Sequence, residues 1–578
     1  MKRSIWRPVK DEVVSDFGAV VTSHPLASEV GVQILSEGGN AVDATVAMGF
    51  CLAVVEPWAS SIAGHGQMLI HMAEQQASLA LDFSHRAPAA ATPEMYRVIG
   101  RTREVIGLFE VENRANVSGY EAIGVPGVTA GLCRAHQLYG SLPLQRLLEP
   151  AIHYAEQGFV ANWLTTQQIA EVMGDFVKYR VPARIFLRDG YPPVSGVDRV
   201  IQADLGQVLR LIARQGARGL YRGELPHTVE ADMKKNGGLL RAEDFGRYEV
   251  VATEPVTIRC RNHEILGMPG PSGCTTTLQA LKILEHFDLA ELGHNSAEYL
   301  HLVIESTRHA FADRYRFLGD PDFVPVPEKA LLSTDYARDV ARLIDPARTA
   351  FAQASDQPWV RFADRALHRP WRYQEGTPIL EDPPPSPPQD DQCTTHFSAI
   401  DRQRNMVSCT QTAVSRFGSR VITSGTGLLF SSGMVVFNPV PGSANSIAGF
   451  KRGLNNMAPL LLLKERKPFA SLGAVGGRRI ISCNTQIVLN LMDRQMSLQQ
   501  AIAAPRVDTS EAVTLADLRL DPECREGLAR IGHEVEVVEE SPSLDSGFAR
   551  PLGIMVDPIT NRIRTGVDVF RISEARGI

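Results

Sequence analysis

The sequence predicts an α/β (α+β) protein built in layers, on three observations. Stretches with helical periodicity alternate with short apolar runs through the first 390 or so residues. Strand-like runs then follow one another closely before helices return, which suits sheets covered by helices. The length of 578 residues, 44% hydrophobic and 21% charged, supplies material for a large core.

The elements follow in order. An apolar run at 18–22 reads as a strand, and helices are predicted over 26–35 and 41–55. In the second helix the uncharged stretch 44–55 follows Asp43 and is too short to span a bilayer, so it reads as a buried core helix. A strand at 67–71 precedes helices at 129–139, 144–157 and 205–215. Strands within 249–266 lead to helices at 276–286 and 297–317. The segment 377–392 carries Pro383-Pro384-Pro385-Ser386-Pro387-Pro388 and is expected to be an extended tether, because proline lacks a backbone donor and resists both helix and sheet. Further strands are predicted at 395–400, 406–411, 433–437, 460–463 and 468–473, and helices at 482–493 and 497–503. No internal repeat is visible.

Composition excludes several classes of function. A net charge of -6 offers no basic surface for nucleic acid or an anionic membrane. The opening Met1 to Lys10 is cationic but lacks a following apolar segment, so the expected location is cytoplasmic. Eight cysteines without paired spacing suit reduced, mostly buried thiols. Fifteen histidines include no His-Glu-x-x-His pattern, and no metal or other cofactor is expected.

The residues that carry chemistry lie at Asp390-Asp391-Gln392-Cys393-Thr394-Thr395-His396-Phe397-Ser398. A threonine hydroxyl is a weak nucleophile until a base takes its proton. An α-amine freed by cleavage before Thr394 would titrate near ~8 and serve as that base. Threonine pairs in β-prone runs are usually just strand, so the wider context decides.

That context is a set of landmarks in a fixed order: Gly38-Gly39-Asn40-Ala41-Val42-Asp43-Ala44, Val54-Val55-Glu56-Pro57, Gly64-His65-Gly66, Ala87-Pro88-Ala89, Val125-Pro126-Gly127, Leu318-Gly319-Asp320-Pro321 and Gly473-Ala474-Val475-Gly476-Gly477. With the Thr394 run they make the chain resemble the γ-glutamyltransferase family of N-terminal nucleophile hydrolases, from about Val20 to near the C-terminus.

The resemblance implies a four-layer αββα sandwich and self-cleavage between Cys393 and Thr394. A large-subunit region, 1–393 with a mobile tail at 377–393, and a small-subunit region, 394–578, would stay associated in one fold. It assigns Thr394 as nucleophile and, through its amine, base; Thr412 as the residue that orients it; and Gly476 and Gly477 as the oxyanion hole. The implied reaction cleaves a small-molecule amide of γ-glutamyl type, such as glutathione, through an acyl-enzyme passed to water or an amine acceptor.

The match weakens where an acyl group would be recognised. A γ-glutamyl group needs a cation for its carboxylate and an acid for its ammonium. The family's arginine falls at Ser84, its asparagine at Val414, its glutamine and aspartate at Gly433 and Val436, and its serine pair at Asn455 and Asn456. His85, Arg86, Asn455, Asn456 and Arg478 are the candidate replacement contacts. The span 437–451 is short where many relatives carry a lid loop. An acylase acting on a non-glutamyl group and an uncleaved, non-catalytic scaffold are the alternatives.

Overall fold

A computed structural model describes residues 8–101, 109–351, 363, 366–376, 392–511, 513–541 and 547–578. The proline tether at 377–391 and the first seven residues lie outside the described residues.

Among the described residues, two seven-stranded antiparallel sheets form the centre. One runs Glu574–Gly577, Ala19–Thr22, Gln392–Ile400, Met406–Ser415, His65–Met72, Ala77–Phe83, Val251–Thr253. The other runs Val14–Ser15, Ile563–Val567, Arg550–Val556, Lys467–Val475, Leu460–Lys464, His263–Gly267, Val256–Cys260.

Side chains on the first sheet alternate between two cores. Val20, Met68, Ile70, Leu81, Phe83, Phe397 and Ala399 join a core with the helices Pro25–Ser36, Ala41–Val55, Val128–Tyr139 and Leu144–Gln157. Their neighbours Ala19, Val21, Leu69, Ala80 and Ile400 face the second sheet. The helices Gly273–Leu284, Ala297–Phe317 and Arg479–Met492 cover that sheet's far side. Period-two alternation with both faces buried yields helix, sheet, sheet, helix, the four-layer αββα sandwich.

Local chemistry explains several landmarks. Asn40 caps the Ala41–Val55 helix: its side chain accepts from the Val42 and Asp43 amides, and the Asp43 carboxylate accepts from the Asn40 amide at 3.0 Å. Asp320 accepts from the buried Arg452 guanidinium at 2.6 Å, and Asp82 accepts from it at 3.0 Å. These motifs are therefore caps and buried ion pairs that fix the scaffold.

One expectation needs revision, and another gains detail. The apolar run at 433–437, read as a strand, is a 3-10 helix over Gly433–Val436, since so short a run carries no usable period. The 249–266 stretch divides into three strands, Val251–Thr253, Val256–Cys260 and His263–Gly267; the first belongs to one sheet and the other two to its partner.

Candidate active site

Thr394 stands near the start of the Gln392–Ile400 strand, where the ladder with Met406–Ser415 is irregular. Cys393 pairs with Val414 and Thr395 with Gln411, so Thr412 and Ala413 together oppose Thr394. Such a bulge re-aims a side chain. Here the Thr394 hydroxyl donates to Thr412 Oγ1 at 3.3 Å, and the Thr412 hydroxyl donates to the Cys393 carbonyl oxygen at 2.5 Å. The Val414 amide donates to Thr412 Oγ1 at 2.8 Å, which leaves that oxygen fully engaged.

Val414 has a φ of 74°, left-handed for a β-branched residue. That conformation costs about 1–2 kcal/mol and persists because the bulge is held from several sides. Gln411 Nε2 donates to the Gly49 carbonyl at 2.8 Å, and the Ala413 amide donates to the Ala59 carbonyl at 2.9 Å. The contacts tie the bulge to the core helix and to the turn that follows it.

His396 sits below Thr394 in the sheet. It is buried, bonds Thr410 Oγ1 at 2.8 Å, and burial pushes its imidazole down to about 3, so it supports the strand as a neutral ring. Gly473 faces it, and a Cβ there would meet the ring at 2.2 Å. Gly476 and Gly477 have φ of 133° and 62°, and they lie just before the Arg479–Met492 helix, whose N-terminal amides favour negative charge.

Thr394, Cys393 and Gly476 line one open cleft. Gly477 is not among its lining residues. Arg416, Arg479, Arg550 and Arg571 also line it, with Glu56 as the one carboxyl among the described residues. Arg416 pairs with Glu171 at 2.5 Å and Arg550 with Glu540 at 3.1 Å. Burial pushes the Glu56 carboxyl up to about 8, against the pull of the Thr395 hydroxyl and the Arg571 guanidinium. Sequence reasoning missed these five as site residues. They come from five separate places in the chain, and only Val54-Val55-Glu56-Pro57 carried a signal.

The candidate recognition residues lie elsewhere. None of His85, Arg86, Asn455, Asn456 and Arg478 lines the cleft. His85 is buried with its ring 4.3 Å from His65 and 5.9 Å from Phe437. Arg86 donates to the Phe450 carbonyl at 3.1 Å and lies over its ring. Asn455 donates to Ser84 Oγ at 3.2 Å and to the Pro271 carbonyl at 2.8 Å. Asn456 Oδ1 accepts from Arg314 at 2.9 Å, and Arg478 is buried 3.6 Å from Glu511. Their neighbour Arg479 is the one turned to the cleft. No residue of 437–451 lines it either.

Among the described residues one group could hold a metal ion, and it is remote from Thr394. His301, Glu305 and His533 are buried with candidate atoms within 4.8 Å of one another. Internal bonds already use them. His301 bonds the Asp345 carbonyl and His533, each at 2.8 Å, and Glu305 accepts from Thr349 Oγ1 at 2.6 Å. No helix of the described residues is long and apolar enough to cross a membrane.

A strand-borne threonine at the mouth of a cleft, inside an αββα sandwich, defines the class of N-terminal nucleophile hydrolases, enzymes that cleave amides. The gamma-glutamyltranspeptidase family model matches residues 27–572, and the chain belongs to that family. It is 35% identical over 537 residues to a glutathione hydrolase proenzyme of Pseudomonas sp. (strain A14), covering 90% of this chain and 87% of the relative. It is 37% identical over 521 residues to the acylase ACY 1 proenzyme of Pseudomonas sp. (strain SE83), with the same 90% and 87% coverage. The cephalosporin acylase structure from Bacillus halodurans superposes with a TM-score of 0.83 at 25% identity, over 100% of this chain and 99% of that one.

Proposed function

We propose that this chain cuts itself between Cys393 and Thr394 and then cleaves amides through an ester on Thr394 Oγ1. The relay Thr394–Thr412–Cys393 carbonyl is the observation that carries the reading. Thr412 polarises the carbonyl that Thr394 must attack, and it holds the attacking oxygen in place. A new C–O bond forms, the C–N bond breaks, and the hydroxyl proton ends on nitrogen. Water opens the ester, leaving a carboxylate on Cys393 and an amine on Thr394. In the mature protein that amine acts as base, and the Gly476 and Gly477 amides take the oxyanion. The two fragments stay together, and eight free cysteines suit a reducing compartment such as the cytoplasm.

The acyl group we assign is anionic and lacks an ammonium. Four guanidinium groups line the cleft, two of them also paired with Glu171 and Glu540, and among the described residues its one carboxyl is held towards its neutral form by burial, so the lining favours a carboxylate over an ammonium. The positions that match the family's γ-glutamyl grip, Ser84, Val414, Gly433, Val436, Asn455 and Asn456, do not line the cleft, and Asn455 donates to Ser84 Oγ and to the Pro271 carbonyl instead. Of the activities named for the relatives, acylase fits better than glutathione hydrolase.

The test pairs intact mass with two anilides. The mass should show fragments 1–393 and 394–578, and Thr394→Ala should leave one chain. Glutaryl anilide should turn over at least about tenfold faster than γ-glutamyl anilide, a difference one unpaired buried charge can supply. Faster γ-glutamyl turnover, raised by glycylglycine, would restore the transferase reading. An unbroken chain without turnover would leave a scaffold.

A further inference from the structure

We infer that Glu56 is a further catalytic group of this site, carrying a proton to the nitrogen of Thr394 as the Cys393–Thr394 bond breaks and facing the freed amine afterwards. The inference rests on the scission described above and concerns which group supplies one proton.

The need arises from the relay itself. Thr412 donates to the Cys393 carbonyl oxygen, so the hydrogen bonds already in place serve the oxygen side of the scissile peptide. An amide nitrogen departs with its electron pair only as it gains a proton, and a second donor must meet it. The cleft offers few. Arginines are too weak as acids to release a proton near neutrality. The Cys393 thiol points to Gln168 Oε1 at 3.9 Å. Among the described residues Glu56 is the one carboxyl lining the cleft; it shares that cleft with Cys393 and Thr394 and stands beside Thr395, the next residue.

Its placement is built rather than incidental. Glu56 caps the Ala41–Val55 helix, its amide donates to the Leu52 carbonyl at 2.9 Å, and its own carbonyl accepts from Ala59 and Ser60 at 3.0 Å. The side chain is 4% exposed, and Oε2 has no hydrogen-bond partner among the described residues. A buried carboxyl oxygen without a partner is expensive and calls for an explanation. A proton donor that engages its partner only during bond breaking supplies one.

Atoms and charge balance. Glu56 gives its proton to the Thr394 nitrogen as the C–N electron pair moves onto that atom, and the carboxylate is reprotonated by the proton released from Thr394 Oγ1. The net transfer is from hydroxyl to amine. After scission the carboxyl and the Thr394 amine share protons and titrate as a pair.

The group works in its protonated form, so scission runs at its plateau below about 8 and falls above it. Facing Glu56 are Arg571, Arg550, Arg479 and Arg416, which keep their charge throughout that range. His24, beside Trp58, is held neutral by burial, its imidazole pushed down to about 3. Cysteine thiols in general titrate in that range, so a Cys393 control is included.

Full-length chain made in a cell-free system, adjusted to pH 6–10 and followed by intact mass, tests the proposal, with thermal melting to confirm folding. Wild type should show a falling limb above about pH 8. Glu56→Gln should slow scission by about 10²-fold or more and flatten the limb. Glu56→Asp should keep a limb displaced to lower pH, and Cys393→Ser should keep the wild-type limb. Glu56→Gln cutting at the wild-type rate, or a limb lost with Cys393→Ser, overturns the proposal. If Glu56→Gln is never cut, Glu56→Asp decides: a displaced limb supports the role and an unchanged one overturns it. A Thr394→Ala chain that still breaks at Cys393 would instead sink the underlying scission reading, whatever Glu56 does.

Discussion

Two walls of the same sandwich contrast sharply: the bulge around Thr394, and the region of Ser84, His85, Gly433–Val436 and Asn455. The first sets the Thr394 hydroxyl, bonded to Thr412, at an open cleft, held by ladder bonds and by Gln411 and Ala413 contacts to the core helix and the turn after it. The second has its polar atoms turned inward, as Ser84 Oγ accepts from Asn455 and His85 lies between His65 and Phe437. The contrast is between hydroxyls set at a cleft and polar side chains used up in packing contacts.

The largest expected effect breaks the first wall. Thr412→Val removes the hydroxyl on the Cys393 carbonyl and should slow scission by about 10²–10³-fold, the loss typical of one oxyanion donor, read as the half-time for the two fragments to appear. Thermal stability should change far less.

A middle-sized effect tests the second wall with the opposite signature. His85→Ala empties a buried site and should cost about 2–4 kcal/mol in denaturant unfolding. It should leave kcat on the preferred anilide within about twofold. A large fall in kcat with little change in stability would make that wall a recognition surface.

The smallest effect concerns Val414. Replacement by glycine relieves about 1–2 kcal/mol of left-handed strain. It forfeits about as much in burial of the isopropyl group. The melting temperature should therefore stay within about 4 °C of wild type. A large drop would show that the bulge is held by that side chain rather than by its bonds.

Legibility in the sequence divides along similar lines. Helices with strong periods appear close to where they are expected: 41–55 and 297–317 match Ala41–Val55 and Ala297–Phe317. The helix Trp163–Phe176 and the strand Arg550–Val556 went unread, the strand because Pro551 and Gly553 interrupt its pattern. Thr394, Thr412 and Gly476 stood out in the sequence because local motifs carry them, and the structure puts Thr394 and Gly476 on one cleft with Thr412 bonded to Thr394. Glu56, Arg479, Arg550 and Arg571 were not legible as site residues, because chain closure alone brings those distant positions to one cleft.

The order of strands around Thr394 has a practical consequence. Gln392–Ile400 is hydrogen-bonded on one edge to Ala19–Thr22, and Met406–Ser415 is hydrogen-bonded to His65–Met72. Segments from before and after the scissile bond are thus woven into one sheet, and Glu574–Gly577 closes its edge against Ala19–Thr22. A nick there releases nothing, since neither piece owns a complete sheet. Produced separately, each half should behave as an unfolded polypeptide, and activity should return only when both are synthesised or refolded in the same vessel.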